Sequence, residues 1–174
     1  MVTDRLAWSE AVARWIRDAM VMDMPLFGVC YGHQLIAHAL GGKVGYHPAG
    51  LEVGCQSIEL LPGAAADPIA QNLPQRFQAH LTHLQTVLEL PLGATVLARS
   101  SHDPHQIVRY GPNALSTQFH PEFTTDISAA CIVRRADTLR NEGRNPDALL
   151  DELRETPHAS ELLRRFVRTY VETH

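Results

Sequence analysis

Cysteine is scarce in this sequence. Cys30, Cys55 and Cys131 are the whole complement, odd in number and without a Cys-x-x-Cys spacing. That usage argues against a disulfide scaffold or a thiolate zinc site, and it predicts a reducing, cytoplasmic setting. Long apolar runs are missing too. None approaches the roughly 18 residues of a membrane span, and the opening MVTDRLAWSE lacks the basic start and apolar core of a secretory leader. There is no basic excess: 15 Lys and Arg stand against 19 Asp and Glu, a net charge of −4. Without a basic footprint, neither nucleic acid nor a membrane surface is an expected partner. Internal repeats, low-complexity tracts and linkers long enough to separate domains are also absent. What remains is an ordinary globular composition, 45% hydrophobic and 20% charged over 174 residues. That is enough for one domain burying roughly 70% of its unfolded surface.

The periodicities alternate between helix and strand. Residues 4–20 carry Val12, Trp15, Ile16 and Ala19 at helical spacing, with Thr3 or Asp4 as a cap. Met24-Pro25 ends that helix. PLFGVC is then a short apolar run of the kind that forms a strand buried on both faces. YGHQLIAHALGG returns to helical spacing and stops at Gly41-Gly42. The middle predicts strands over Val53–Leu60, Arg76–His80, Gln85–Leu88, Thr95–Ser100, Gln106–Tyr110 and Ala114–Phe119, with a helical turn at Asp67–Leu73. After Pro121 three helices are expected, over Asp126–Asn141, Pro146–Glu155 and Pro157–Glu172, the last with Leu163, Phe166, Val167 and Tyr170 on one stripe. Together these predict an α/β architecture with a parallel portion at the start and an antiparallel portion in the middle.

One stretch carries chemistry. GVCYG is Gly-x-Cys-x-Gly, the spacing of a nucleophile elbow with sulfur in place of oxygen. A strained strand-to-helix turn needs small neighbours, which Gly28 and Gly32 supply. The turn sets Cys30 at a helix N-terminus, where free N–H groups and the helix dipole favour thiolate. The N–H of Tyr31 would then point at an oxyanion formed on a carbonyl substrate. A free cysteine is often only a small buried hydrophobe. Two glycines at elbow spacing, after a strand and before a helix, favour the reactive reading.

A thiolate that cleaves an amide needs a proton donor for the leaving nitrogen. Of ten histidines, His120 has the best context, at the end of the strand in STQFHPEF. Glu122 lies two residues on, and in an extended segment it shares a side with His120 and can fix its tautomer. A plain surface turn would read the same way in isolation. The other polar signals are weaker. HDPH (His102, Asp103, His105) reads as a polar turn between strands rather than a metal site. His33 and His38 do not share a helix face. Cys55 and Cys131 have no elbow context, and Arg134-Arg135 is a solvated helix face. No metal or cofactor is expected.

Taken together, GVCYGHQ and QFHPEF resemble the class I glutamine amidotransferases, and the stand-alone GMP synthase-like members above all. LIAHALGG and HLTHLQTV add to the likeness, which covers roughly residues 1–125. The resemblance implies a flavodoxin-like sandwich with a mixed, mostly parallel sheet. Residues 1–125 would form the catalytic domain, and 126–174 a C-terminal helical extension of it. It also implies a Cys30-His120-Glu122 triad that hydrolyses the glutamine side-chain amide through a γ-glutamyl thioester. Tyr31 would donate to the oxyanion, and Gln34 and His83 would line the substrate pocket. The implied partners are glutamine or a γ-glutamyl compound and a synthetase in trans. The resemblance further implies strands and a Gly-rich loop ahead of residue 1, so the sheet is expected to be N-terminally truncated. Its open edge is then available for association with a second copy. The alternatives are a γ-glutamyl peptidase or hydrolase, or a catalytically impaired binding or regulatory remnant.

Overall fold

A computed structural model describes residues 1–170. The chain opens with a 3₁₀ turn at Val2–Asp4, then runs through helix α1 (Ala7–Val21), strand β1 (Leu26–Val29), helix α2 (Tyr31–Ala39) and strand β2 (Lys43–Tyr46). The strands β3 (Glu52–Leu60), β4 (Arg76–His83), β5 (Gln85–Glu89), β6 (Thr95–Arg99), β7 (Ile107–Gly111) and β8 (Ala114–Thr117) follow. The helices α3 (Thr125–Arg134), α4 (Ala136–Asn141), α5 (Pro146–Asp151) and α6 (Pro157–Tyr170) close the described chain. No described helix is long and apolar enough to cross a membrane.

Six strands form one sheet in the order β1-β8-β7-β6-β3-β4, and β2 pairs with β5 in a small second sheet. The main sheet is mixed, as expected, but it is not mostly parallel. Only β1 and β8 run parallel, while the β8–β7, β7–β6, β6–β3 and β3–β4 pairings are antiparallel. Connection length accounts for part of this: the short links between β6 and β7 and between β7 and β8 allow only hairpin returns, whereas the parallel pair β1 and β8 is far apart in sequence. Among the described residues β1 has no partner on its other edge.

Alternation along the strands sends side chains to two faces. On one face Ile58, Phe77, Leu81, Leu97, Ile107, Leu115 and Phe119 pack with Ala159, Leu162 and Phe166 of α6. On the other, Leu26 and Ala114 meet Ala13, Ile16 and Ala19 of α1 and Leu35 and Ile36 of α2. A third cluster joins Leu51 and Val53 to Ile132 and Leu139 of the C-terminal helices.

The structure corrects several sequence expectations. In α1 the buried face is Ser9, Ala13, Ile16 and Ala19, while Val12 and Trp15 are 39% and 50% exposed. Small residues let α1 lie close to α2, and the larger ones are turned outward. Its N-cap is Leu6, so neither Thr3 nor Asp4 caps it. The helix expected over Asp126–Asn141 breaks at Arg135 into α3 and α4. The expected helical turn at Asp67–Leu73 is present as hydrogen-bonded turns that Asp67 Oδ1 caps by accepting from the Ile69 and Ala70 N–H groups, and an unpredicted 3₁₀ turn at Pro62–Ala66 precedes it. In α6 the buried stripe is Ala159, Leu162 and Phe166 with Tyr170 packed against the same core, so Phe166 and Tyr170 fall where predicted while Val167 is exposed, and Val171 and Glu172 lie outside the described residues. Strand β2 carries too little periodicity over four residues to be read from sequence.

The two elbow glycines prove unequal. A Cβ on Gly28 would lie 2.6 Å from Ile36 Cδ1 and 2.8 Å from the Gly32 carbonyl carbon and oxygen, so β1 and α2 touch only because it is absent. A Cβ on Gly32 meets nothing within 4 Å. Steric necessity therefore explains Gly28 and does not explain Gly32. Gly28→Ala is expected to cost about 1–3 kcal/mol through overpacking, while Gly32→Ala leaves thermal stability unchanged or slightly raised. Circular-dichroism melts of the two variants test the contrast.

His33 ties α2 to β8. Its Nδ1 lies 2.7 Å from Ser116 Oγ, and the ring is fully buried. Burial is the main cause that lowers its pKa to about 3, against an opposing pull from Asp103. The folded state thus keeps His33 neutral where the unfolded chain protonates it. Stability is full above the unfolded value near 6.5 and falls as pH drops from there toward 3, by about 1.4 kcal/mol per pH unit for one proton. Urea titrations at pH 7 and pH 5 should differ by about 2 kcal/mol from this group. A His33→Asn variant should flatten that part of the slope.

Candidate active site

Because β1 and β8 are parallel, their C-terminal ends lie side by side. The backbone N–H of Cys30 donates to Thr117 O at 2.8 Å, which pins the turn after β1 to the last residue of β8. Cys30 has φ 48 and ψ −95, a left-handed conformation that a non-glycine residue adopts at a cost of order 1–3 kcal/mol. Its side chain is half-buried. Tyr31 opens α2 immediately afterwards, so its N–H has no acceptor within the helix. The Tyr31 ring stacks on Trp8 with centroids 5.6 Å apart, and its hydroxyl lies 2.9 Å from Ser9 Oγ. These contacts hold the first turn of α2 against α1.

His120 follows β8 by three residues. Phe119 is buried in the core against Phe77, so the residue after it turns outward toward the elbow. The His120 N–H donates to His80 O at 2.9 Å, and Ser160 Oγ of α6 donates to Pro121 O at 2.9 Å. The His120 ring stacks on Phe123 at 3.9 Å between centroids, and its Nδ1 lies 2.7 Å from Glu122 Oε1. Its Nε2 is buried and makes no hydrogen bond. Cys30 acts on the same ring: the two groups are near enough to attract, though not aligned for a regular hydrogen bond. Burial by itself would lower the affinity of this imidazole for a proton. The interactions with Cys30 and then Glu122 outweigh it and push the pKa up to about 9. At neutral pH the ring therefore holds its proton, and a cation beside a cysteine favours the thiolate form.

Cys30, Tyr31, His120 and Glu122 are thus assembled at one end of the β1–β8 pair. Gln34 and His83 fall slightly deeper. Gln34 is buried, and its Nε2 donates to Gln85 O at 2.6 Å and Gln118 Oε1 at 3.0 Å. His83 is also buried, with Nε2 at 2.7 Å from Glu52 Oε2 and Nδ1 at 3.0 Å from Gln85 O.

Sequence reasoning misses the groups behind these two. Phe123 is hidden when FHPEF is read for its charges alone. Glu52 is missed because nothing in a linear reading pairs it with His83. The antiparallel register of β3 and β4 sets them opposite each other. Around them Ser100 Oγ donates to Glu52 Oε1 at 2.6 Å, Gln106 Nε2 donates to Glu52 Oε2 at 2.8 Å, and Thr86 Oγ1 donates to Asp103.

Glu52, His83 and Asp103 hold one ligand-type atom each within 4.8 Å of one another. These atoms already bond to protein partners, and the 2.7 Å contact of Glu52 with His83 leaves no room for an ion between them. A hydrogen-bonded network describes the cluster better than a metal centre does. In HDPH, His102 stacks on His47 and His105 Nδ1 bonds Val87 O, so those rings are engaged elsewhere.

Comparisons with known proteins identify the family and the fold. The chain is 34% identical over 108 residues to gamma-glutamyl peptidase 5 of Arabidopsis thaliana, covering 61% of this chain and 43% of that protein. It is 35% identical over 121 residues to a glutamine-hydrolyzing GMP synthase subunit of Thermococcus kodakarensis, covering 69% and 62%. The chain therefore spans less than two thirds of either relative. In three dimensions it is similar to a glutamine amidotransferase from Thermotoga maritima, with a TM-score of 0.78 over 97% of this chain and 72% of that one, at 24% identity. At that identity the likeness speaks for the fold alone. The model of the class-I glutamine amidotransferase family matches residues 5–136, and the protein belongs to that family.

Proposed function

We propose that this protein hydrolyses the side-chain amide of glutamine through a Cys30-His120-Glu122 triad. The observation that carries the reading is the His120 ring held by Glu122 on one nitrogen, with the other nitrogen unpartnered on the side chain's buried half and Cys30 acting on the same ring. The thiolate of Cys30 attacks the amide carbon, and the tetrahedral oxyanion meets the free N–H of Tyr31. His120 gives its proton to the departing nitrogen, which leaves as ammonia. The C–N bond breaks and a γ-glutamyl thioester remains. A water that loses its proton to His120 then attacks the thioester, releasing glutamate and restoring the thiolate. Glu122 holds the ring in the tautomer that serves both steps. Gln34 and His83 border the glutamine pocket. A relative named as a GMP synthase subunit supports release of the ammonia to a synthetase in trans.

A second reading shares every step to the thioester. Similarity to a gamma-glutamyl peptidase favours a γ-glutamyl peptide as substrate, with an amino acid or peptide leaving in place of ammonia.

6-Diazo-5-oxo-L-norleucine, a glutamine analogue, is expected to alkylate Cys30 and spare Cys55 and Cys131 in intact-mass and peptide mapping. Equal labelling of all three would overturn the proposal. Comparing ammonia release from glutamine with cleavage of γ-glutamyl dipeptides separates the two substrates, and Cys30→Ser should abolish both. The reaction should also fail at high pH, as the imidazolium is lost through about 9. Glu122→Gln removes an anion that favours the protonated ring. The basic limb of the pH–rate profile should therefore move to lower pH, with kcat reduced by about 10² or more.

A further inference from the structure

The reading above places Gln34 and His83 at the pocket, yet their polar atoms are largely spent on the protein itself. Both ring nitrogens of His83 lie on acceptors, the Glu52 carboxylate at 2.7 Å and the Gln85 carbonyl at 3.0 Å. With each nitrogen engaged by the protein, His83 has none left for a substrate. The Gln85 carbonyl takes a second hydrogen bond from Gln34 Nε2 at 2.6 Å, and that same amide reaches Gln118 Oε1 at 3.0 Å. Gln34 sits four residues after Cys30 and its N–H bonds Cys30 O at 3.1 Å. Gln118 sits two residues before His120. An unbroken chain thus runs from Glu52 through His83, the Gln85 carbonyl and Gln34 to Gln118. It joins the helix that carries the thiol to the segment that carries the imidazole.

Glu52 is the anchor of this chain. It is 4% exposed, and its two oxygens take three donors, from His83, Gln106 and Ser100. Gln106 closes a second route, because its backbone carbonyl accepts the Gln118 N–H at 3.0 Å. The hydrogen bonds of Glu52 go to His83, Ser100 and Gln106 and not to Cys30 or His120, so the hydrogen-bonded route from Glu52 to them is indirect, through these partners.

We propose that Glu52 is a positioning residue which, through His83, the Gln85 carbonyl, Gln34 and Gln118, sets Cys30 in register with His120. The inference rests on the reading of Cys30 as the nucleophile. It assigns Gln34 a strut's role in addition to its place at the pocket.

The test follows alkylation of Cys30 by iodoacetamide, read by peptide mass spectrometry from pH 5 to pH 10 on the full chain. This reagent needs a reactive thiolate and no recognition of glutamine. Glu52→Gln keeps the size of the side chain and removes its charge. That variant also alters the field on neighbouring groups, since His47, His102, His105, His33 and Asp103 surround the Glu52–His83 pair. Gln34→Met is therefore read alongside it, because it cuts the chain at its other end without changing any charge. It also decides the matter if Glu52→Gln does not fold.

The expected result is that alkylation of Cys30 at pH 7 slows about tenfold in each folded variant, as a misplacement of the pair by a fraction of an ångström would cause. The midpoint of its pH dependence should shift upward. A merely structural role would lower the melting temperature and leave the Cys30 rate and midpoint of the folded protein as in wild type, and that outcome overturns the proposal. Failure of the underlying reading looks different: in wild type itself Cys30 would react no faster than Cys55 and Cys131.

Discussion

The site depends on one pairing. β1 and β8 are separated by nearly half of the chain, and among the described residues they are the only parallel neighbours in the main sheet. Parallel strands bring like ends together, so the residue after one and the residues after the other share a corner. In an antiparallel arrangement Cys30 and His120 would stand at opposite ends of the same strands. The register fixes the match further, with Val29 beside Thr117 and the Cys30 N–H on the Thr117 carbonyl. Everything else at the site refines a proximity that this pairing already creates.

Several refinements carry a local cost. Cys30 is held in a left-handed conformation, and Gly28 surrenders a side chain so that α2 can descend onto β1. Helix and strand then meet at an angle that leaves the thiol at the free N-terminal end of α2. Such strain persists only where the surroundings over-determine it. Here Ile36 packs from above, β8 bonds from the side and Tyr31 is stacked beneath Trp8. The buried polar residues beyond, from Gln34 to Glu52, bind the same segments together with directional bonds where apolar contacts alone would permit sliding.

Much of this is legible in the order of residues alone. Gly-x-Cys-x-Gly points to its own turn, although only the first of its glycines, Gly28, is sterically required there. His120 and Glu122 can be paired because they are two residues apart, although the structure joins them across a turn closed by the Phe123 N–H on the His120 carbonyl at 3.4 Å and not along the extended peptide the sequence suggests. These signals are short-range. The signals that fail are long-range. No pattern in the sequence joins Glu52 to His83, because the register of β3 against β4 is settled by the whole sheet. The balance of parallel and antiparallel strands escapes for the same reason: the family resemblance implies a mostly parallel sheet, while four of the five pairings are antiparallel and two of these, β3–β4 and β3–β6, are not set by short hairpins. The face of α1 is misread because hydrophobicity alone puts Trp15 and Val12 in the core, whereas close packing selects Ala13 and Ala19.

The Trp8–Tyr31 stack has an optical consequence. The chain has two tryptophans, Trp8 and Trp15, both on α1 and about half exposed at 55% and 50%. The near-ultraviolet emission of the protein therefore reports on this one helix and hardly at all on the sheet or the core. Trp8 lies against the ring of the residue that follows Cys30, so it is a native fluorophore one side chain removed from the reactive sulfur. A group attached to that sulfur, or a shift of the first turn of α2, changes what quenches Trp8 while Trp15, two turns along, serves as an internal reference.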